Sequence, residues 1–165
     1  MDLFEEWIMK DNELIEYALT DKSYKSVYSK EHHENLPKNK TNFELATYGD
    51  AILKMCIMEI LYDNKIEKPT EEKKKYESNK ALVLIAEKYD LIKNIKTDGN
   101  RVNNYDYDNK KNKSKKGNKC KYIATCVEAI IAAIYINTGN LYKLKELICS
   151  WMNYIDKKAR ELWKL

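Results

Sequence analysis

The sequence predicts a single all-α domain, and three observations lead to that prediction. Glycine and proline are scarce, with 4 and 2 among 165 residues, as expected for a chain with little sheet and few tight turns. Several segments repeat apolar residues at intervals of three and four, which is the period of an α-helix. The length suits one domain with its own core, and the hydrophobic (44%) and charged (34%) fractions are typical of a soluble helical protein.

The first half of the chain is predicted to hold two short amphipathic helices and a longer central one. Apolar residues at helical spacing predict the short helices over residues 3–8 and 14–19. Residues 23–40 are polar, carry charges of both signs and include a proline, so we predict a loop there. A long helix should follow, capped by Asn42 or the threonine before it and ending near Tyr62. Its apolar residues cover more than one face, so we expect it to be buried on several sides.

The second half is predicted to hold four more helices. The first begins at Pro69, which two acidic residues follow, as is common in a first helical turn. The next spans about residues 80–89. After a stretch without hydrophobic period, a second core helix spans about residues 119–137, and Gly139 ends it. A final amphipathic helix covers residues 141–165.

Cysteine and histidine do not form a recognisable metal site in this sequence. The four cysteines lack close-paired spacing and are predicted to be free, mostly buried thiols. His32 and His33 have no acidic or cysteine partner at ligand spacing, and we predict that they are solvated loop residues. No apolar run is long enough to cross a bilayer, and the acidic start lacks a signal-peptide pattern. We therefore expect an intracellular, cytoplasmic protein without a membrane partner.

Two acidic residues stand inside otherwise apolar helical segments. Asp50 is followed by Ala-Ile-Leu, and Glu128 by Ala-Ile-Ile-Ala-Ala. A carboxylate set into a packing surface costs several kcal/mol unless it is paired or binds a metal ion. The two residues therefore suggest one shared site, although each would also be tolerated at the edge of its helix's apolar face. Spacing alone leaves both interpretations open.

Four segments, taken in order, resemble the ribonuclease III catalytic domain. They read ALTDKSY (18–24), NFELATYGDAIL (42–53), SNK (78–80) and EAIIAAIY (128–135). The resemblance implies an all-helical endonuclease domain of about seven helices that forms a homodimer and cleaves double-stranded RNA in RNA processing. It also implies a Mg²⁺ cofactor, with Mn²⁺ able to substitute, held by Asp50 and Glu128 as the catalytic and metal-binding residues.

Two carboxylates that are usual in the family are missing from this chain. The glutamate four residues before the signature aspartate is replaced by Ala46, and the aspartate three residues before the second glutamate by Thr125. Glu44 lies six residues before Asp50, or about 240° around a helix, and so points elsewhere. The pattern is similar to the Mini-ribonuclease III subfamily, which is active and lacks a separate double-stranded-RNA-binding domain, as we expect here. The alternative is a catalytically inactive RNA-binding or ribosome-associated protein of the same fold, as in ribonuclease III-like ribosomal proteins.

Two further side chains lie one helical turn from the retained carboxylates. Thr125 precedes Glu128 by three residues, and its hydroxyl could orient a metal-bound water. Lys54 follows Asp50 by four residues. It could bind a substrate phosphate, or it could form an ion pair with Asp50 and exclude the metal. The sequence does not decide between these two roles.

The positive charge of the chain is concentrated in residues 101–121. This segment has eight lysines and arginines against two aspartates, a local charge of +6, whereas the whole chain carries +4. A basic loop insertion at about residues 100–119 would suit phosphate contacts to duplex RNA, although such runs are also common as solvated insertions. The candidate RNA-binding residues are Lys80, Arg101, Lys110, Lys111, Lys113, Lys115, Lys116 and Lys119.

Overall fold

The computed structural model describes residues 1–103 and 120–163. Its helices are α1 (Leu3–Ile8), α2 (Glu13–Ala18), α3 (Lys25–His32), α4 (Phe43–Asp63), α5 (Pro69–Glu77), α6 (Asn79–Lys88), α7 (Asn100–Asn103), α8 (Lys121–Thr138) and α9 (Leu141–Trp163). Short 3-10 turns lie at Lys22–Tyr24, Lys38–Lys40 and Ile92–Asn94. These two ranges contain no β-strand, only an isolated bridge between Thr20 and Lys96. The predicted all-α fold is confirmed.

Helices α4 and α8 form the centre of the domain. On α8 the side chains of Ile123, Ile130 and Ile134 are fully buried, and on α4 those of Leu53 and Ile57 are too. Both helices are apolar on more than one face because other helices cover them from several sides. The other helices pack around this pair, which carries the two acidic residues singled out in the sequence.

The amphipathic helix α9 closes one side of the core through aromatic contacts. Trp151 is buried, and its ring centroid lies 5.0 Å from that of Phe4 in α1 in an edge-on arrangement. The indole Nε1 donates a hydrogen bond to the Tyr89 hydroxyl at 2.9 Å. The N-terminal helix and the end of α6 are thereby fixed to α9.

The predicted loop over residues 23–40 is wrong in part, because α3 occupies most of its first half. This helix has no buried residue, so it has no hydrophobic period that could have been recognised in the sequence. Its last turn is supported by Tyr28, whose ring stacks on that of His32 at 4.1 Å. His33 then ends the helix in the left-handed conformation, with φ of 54°. Both histidines are exposed, as predicted, but they belong to a helix end rather than to a loop.

The other predicted helices are present with small shifts at their ends. The second core helix begins at Lys121 rather than near 119, and Gly139 follows it with φ of 61°. The four cysteines are free thiols, as predicted. Most of the basic segment, from 104 to 119, lies outside the described residues. In the described part of the chain no helix is both long enough and apolar enough to cross a membrane.

Candidate active site

Asp50 and Glu128 line the same cleft, an open cavity of about 570 Å³ between the N-terminal halves of α4 and α8. Asp50 comes from the second turn of α4, and Glu128 from the second turn of α8. Both side chains are partly buried. The sequence left open whether these two carboxylates share one site or lie apart at the edges of their helices. The structure brings them together in one cleft.

Gly49 allows the two core helices to approach at the site. A Cβ atom at this position would lie 1.7 Å from the carbonyl oxygen of Glu128 and 3.3 Å from the backbone nitrogen of Ala132. Only a residue without a side chain fits there. The contact places Asp50, the next residue, beside Glu128.

Glu128 has an unusual protonation equilibrium. Burial raises its pKa, and repulsion from Asp50 raises it further, while Lys54 and Lys121 act in the opposite direction. The net result is a pKa of about 7 instead of the ordinary 4.5. Asp50 and Glu128 are thus close enough to interact electrostatically, and near neutral pH Glu128 is present in both its protonated and its ionised form.

Lys54 forms the ion pair with Asp50 that was one of its two predicted roles. Its Nζ donates to Asp50 Oδ2 at 2.7 Å. This hydrogen bond is the main reason why the pKa of Lys54 is raised, and the negative charges of Asp50, Glu77 and Glu128 add to it. The side chains of Lys54 and Asp50 are 44% and 34% exposed. Because water reaches both groups, the ion pair can open at little cost.

The two positions that lack the usual carboxylates also face the cleft. Ala46 and Thr125 are both lining residues. The Thr125 hydroxyl donates to the backbone oxygen of Lys121 at 2.8 Å, so its hydrogen is engaged within α8. Its oxygen remains able to accept a hydrogen bond from a water in the cleft.

Glu77 is a third carboxylate beside Asp50 and Glu128, and it was missed in the sequence. It ends α5 and lines the cavity with Asp50 and Glu128. Its Oε2 is 3.0 Å from Lys73 Nζ, but the buried oxygen makes no hydrogen bond to any described residue. No signal in the sequence indicated this position, because α5 is polar and Glu77 resembles the acids of any solvated helix face.

The opposite end of the cleft is lined mainly by polar and basic residues that the sequence analysis did not assign to a site. Arg101 is the exception, since it was a candidate RNA-binding residue and does line the cavity. Lys80 is exposed and is not a lining residue. The candidates Lys110, Lys111, Lys113, Lys115, Lys116 and Lys119 lie outside the described residues. This end lies where α4 and α8 begin, about two helical turns before Asp50 and Glu128, and Arg101 joins it through its contacts with Asp21 and Tyr122. The lining residues that we assign to it are Asp21, Lys22, Asn42, Phe43, Arg101, Lys121 and Tyr122.

The donor set of the cleft suits one weakly held divalent cation. Within residues 1–103 and 120–163, no three side chains among His, Cys, Asp and Glu are arranged to ligate a metal together. Asp50 and Glu128 offer hard carboxylate oxygens. Burial and, after it, repulsion from Asp50 raise the pKa of Glu128, and a bound cation would relieve that repulsion. Mg²⁺ keeps several of its waters in proteins and can be held by one or two carboxylates. The two residues therefore fit such an ion.

Glu128→Gln is expected to raise thermal stability at alkaline pH and to leave it unchanged near pH 4. Between 4.5 and about 7 the folded chain holds a proton on Glu128 that the unfolded chain releases, so wild-type stability falls as the pH rises through this window. Glutamine resembles the protonated acid and does not ionise, so the variant keeps the stability that the wild type loses. We expect this difference in the free energy of unfolding to be about 2 kcal/mol after allowing for partial exposure. That corresponds to a melting temperature about 5 °C higher at pH 8 in EDTA.

The control for this experiment is Glu146→Gln, which removes an exposed acid from α9. Its effect on the melting temperature should be small at both pH values. Equal effects of the two substitutions at pH 8 would contradict the burial of an ionised Glu128 at the cleft.

Comparison with known proteins identifies the family. The ribonuclease III domain matches residues 44–139, more than half of the chain and a range that includes both Asp50 and Glu128. Ribonuclease 3 from two strains of Clostridium kluyveri is 30% identical over 156 residues, covering 91% of this chain and 56% of each relative. The chain spans about half the length of these curated relatives. Its helical fold, its two facing carboxylates and these matches show that it belongs to the ribonuclease III family.

Proposed function

We propose that the protein is a Mg²⁺-dependent endoribonuclease of the cytoplasm that cleaves double-stranded RNA as a homodimer, with Mn²⁺ able to substitute. The observation that carries this proposal is the meeting of Asp50 and Glu128 in one cleft whose other end is basic. Family membership supports a nuclease, and the free thiols suit the reducing cytoplasm.

Four of the cleft residues have a role in such a reaction. Bound Mg²⁺ would activate a water and offset charge on the scissile phosphate. Asp50 and Glu128 would hold the ion, and Glu128 would be fully ionised once the cation's charge lowers its pKa. Lys54 would leave Asp50 and turn to a phosphate oxygen. Thr125 would accept a hydrogen bond from a water in the cleft and so orient it.

A homodimer is part of the proposal because two strands need two sites related by a two-fold axis. An apolar stripe on α4 supports it. Tyr48, Met55 and Tyr62 recur at seven-residue intervals and are 45%, 42% and 81% exposed, with the exposed Ala51 between the first two. Side chains at this spacing share one helix face and pack well against a second copy. Sedimentation equilibrium of the purified protein measures the oligomeric state directly.

The decisive experiment incubates the protein with a long RNA duplex, with Mg²⁺ in one reaction and EDTA in the other. A single strand of the same sequence is the substrate control. We expect cleavage of the duplex only, and only with the metal. No cleavage at an enzyme concentration equal to that of the substrate would contradict the proposal.

A second function is favoured by the Lys54–Asp50 ion pair at 2.7 Å. It is also favoured by the small number of metal-binding side chains, since the described residues hold no group of three that could ligate an ion together. It is that of a catalytically inactive RNA-binding or ribosome-associated protein, in which the lysine replaces the metal. Duplex binding that persists in EDTA, is unchanged by Mg²⁺ and is accompanied by no cleavage would favour this alternative.

Restoring the missing carboxylates with Ala46→Glu and Thr125→Asp is expected to make stability depend on Mg²⁺. Both positions line the cleft, so the new acids would crowd Asp50 and Glu128 and lower the melting temperature in EDTA. Added hard ligands raise the affinity for Mg²⁺. At a Mg²⁺ concentration of about 100 times the dissociation constant, binding should raise the free energy of unfolding by about 2.7 kcal/mol. The measurement is the melting temperature of each variant with and without Mg²⁺.

The control for this double variant is Ala159→Glu with Thr138→Asp, which makes the same chemical changes away from the cleft. Its melting temperature should respond to Mg²⁺ no more than that of the wild type. If the cleft variant responds no more than this control, the four positions do not converge on one ion.

A further inference from the structure

Two buried polar groups at the basic end of the cleft have no hydrogen-bond partner among the residues that the structure describes. Asn42 and Tyr122 are each 2% exposed, and both line the cavity. The Asn42 Nδ2 and the Tyr122 hydroxyl make no hydrogen bond to any described residue. An unsatisfied buried polar group is costly, so a pair at one cavity end points to a ligand that would satisfy both.

The chemistry of these groups defines the ligand. The Asn42 amide nitrogen only donates, and burial raises the pKa of Tyr122, which keeps its hydroxyl protonated as a donor. The guanidinium of Arg101 lies 5.8 Å from the Tyr122 ring centre. Lys22 and Lys121 line the same end. Donors and cations together select an anion whose surface consists of oxygen acceptors.

Asp21 positions the arginine without cancelling the positive charge of this end. Its carboxylate is buried, pairs with Arg101 Nε at 3.1 Å and accepts a hydrogen bond from the Ser23 backbone nitrogen at 2.9 Å. The Arg101 side chain remains 34% exposed beside the cavity. Three cations thus face one carboxylate here, whereas at the other end Asp50, Glu77 and Glu128 outnumber Lys54.

Both core helices also begin at this end. Helix α4 starts after Asn42 and α8 starts one residue before Tyr122, and neither N-cap residue uses its side chain to cap its helix. The positive ends of two long helix dipoles therefore lie near the unpartnered donors. Their orientation favours an anion at the same place.

We propose that this end of the cleft is a phosphate subsite, formed by Asn42, Tyr122 and Arg101, that holds a backbone phosphate of the RNA strand. The inference rests on the proposed function only for its identification of the ligand as RNA. This phosphate would be a different one from the scissile phosphate at Asp50 and Glu128. It would fix the position of the strand along the cleft without reading its sequence.

The test is Tyr122→Phe, measured without metal. Because the hydroxyl is unsatisfied in the free protein, its removal should leave the melting temperature unchanged or slightly higher. Affinity for a short RNA duplex in EDTA should nevertheless fall about fivefold to tenfold, since a hydrogen bond to a charged phosphate is lost. Tyr142→Phe makes the same change at a residue that is 70% exposed on α9, and it should alter neither quantity.

The bound phosphate could belong to the RNA backbone or be a free anion, and a titration with inorganic phosphate at constant ionic strength helps to distinguish the two. Phosphate should raise the melting temperature of the wild type more than that of Tyr122→Phe. Unchanged duplex affinity in Tyr122→Phe would overturn the proposal, even if the phosphate effect were lost, because the pocket would then serve a free anion. Weakened duplex binding by Tyr122→Phe would support the phosphate subsite even if the protein cleaves no RNA. The test of the subsite is therefore separate from the test of the nuclease proposal.

Discussion

Asp50→Asn is expected to lower the rate of duplex cleavage by at least about 10³-fold, because losing one of two metal-binding carboxylates removes several kcal/mol of transition-state stabilisation. The substitution preserves the shape of the side chain. It also removes the repulsion that adds to the effect of burial in raising the pKa of Glu128. Stability should change little, because Asp50 and its partner Lys54 are both partly exposed.

The matched control for this substitution is Glu44→Gln, which removes an exposed acid from the first turn of the same helix. Glu44 does not line the cleft, so cleavage should stay near the wild-type rate. Duplex affinity in EDTA should be retained in both variants, and it should be slightly higher in Asp50→Asn, since one negative charge near the phosphates is gone. Equal cleavage rates for the two variants would remove Asp50 from the catalytic site.

The parts of the fold that the sequence predicts are those with a hydrophobic period. The core helices α4 and α8 and the amphipathic α9 each bury a recognisable set of apolar residues, and their positions follow from that pattern. Helix α3 buries none. It depends on local contacts such as the Tyr28–His32 stack, which a pattern of apolar residues does not reveal.

The residues of the site also divide into those that a sequence pattern reveals and those that only the fold brings together. Asp50 and Glu128 stand out because each interrupts an apolar run, and the family resemblance assigned both. Glu77 and Tyr122 have no such contrast with their neighbours, and they belong to the site only because α5 and the start of α8 meet the cleft. The role of Lys54 was left open because helical spacing allows the ion pair without requiring it, whereas the structure shows it formed.

Gly49→Ala is expected to lower the free energy of unfolding by about 3 kcal/mol or more, although alanine is the better helix former by about 1 kcal/mol. The added Cβ would lie 1.7 Å from the carbonyl oxygen of Glu128 and 2.6 Å from its carbonyl carbon. Both are backbone atoms, which cannot turn away as a side chain does. The two core helices would have to separate, and denaturant unfolding measures the cost.

The matched control is Gly139→Ala, where the glycine has φ of 61° and nothing lies within 4 Å of an added Cβ. That change should cost only about 1–2 kcal/mol, from the left-handed conformation alone. Gly49→Ala should also impair cleavage in whatever fraction still folds, because Asp50 and Glu128 would no longer be held at the same distance, and shifts of about 1 Å in a catalytic group cost about 10²-fold in rate. If Gly49→Ala is no more destabilising than Gly139→Ala, α4 and α8 do not touch at Glu128. The site would then lack the close helix contact that places its two carboxylates side by side.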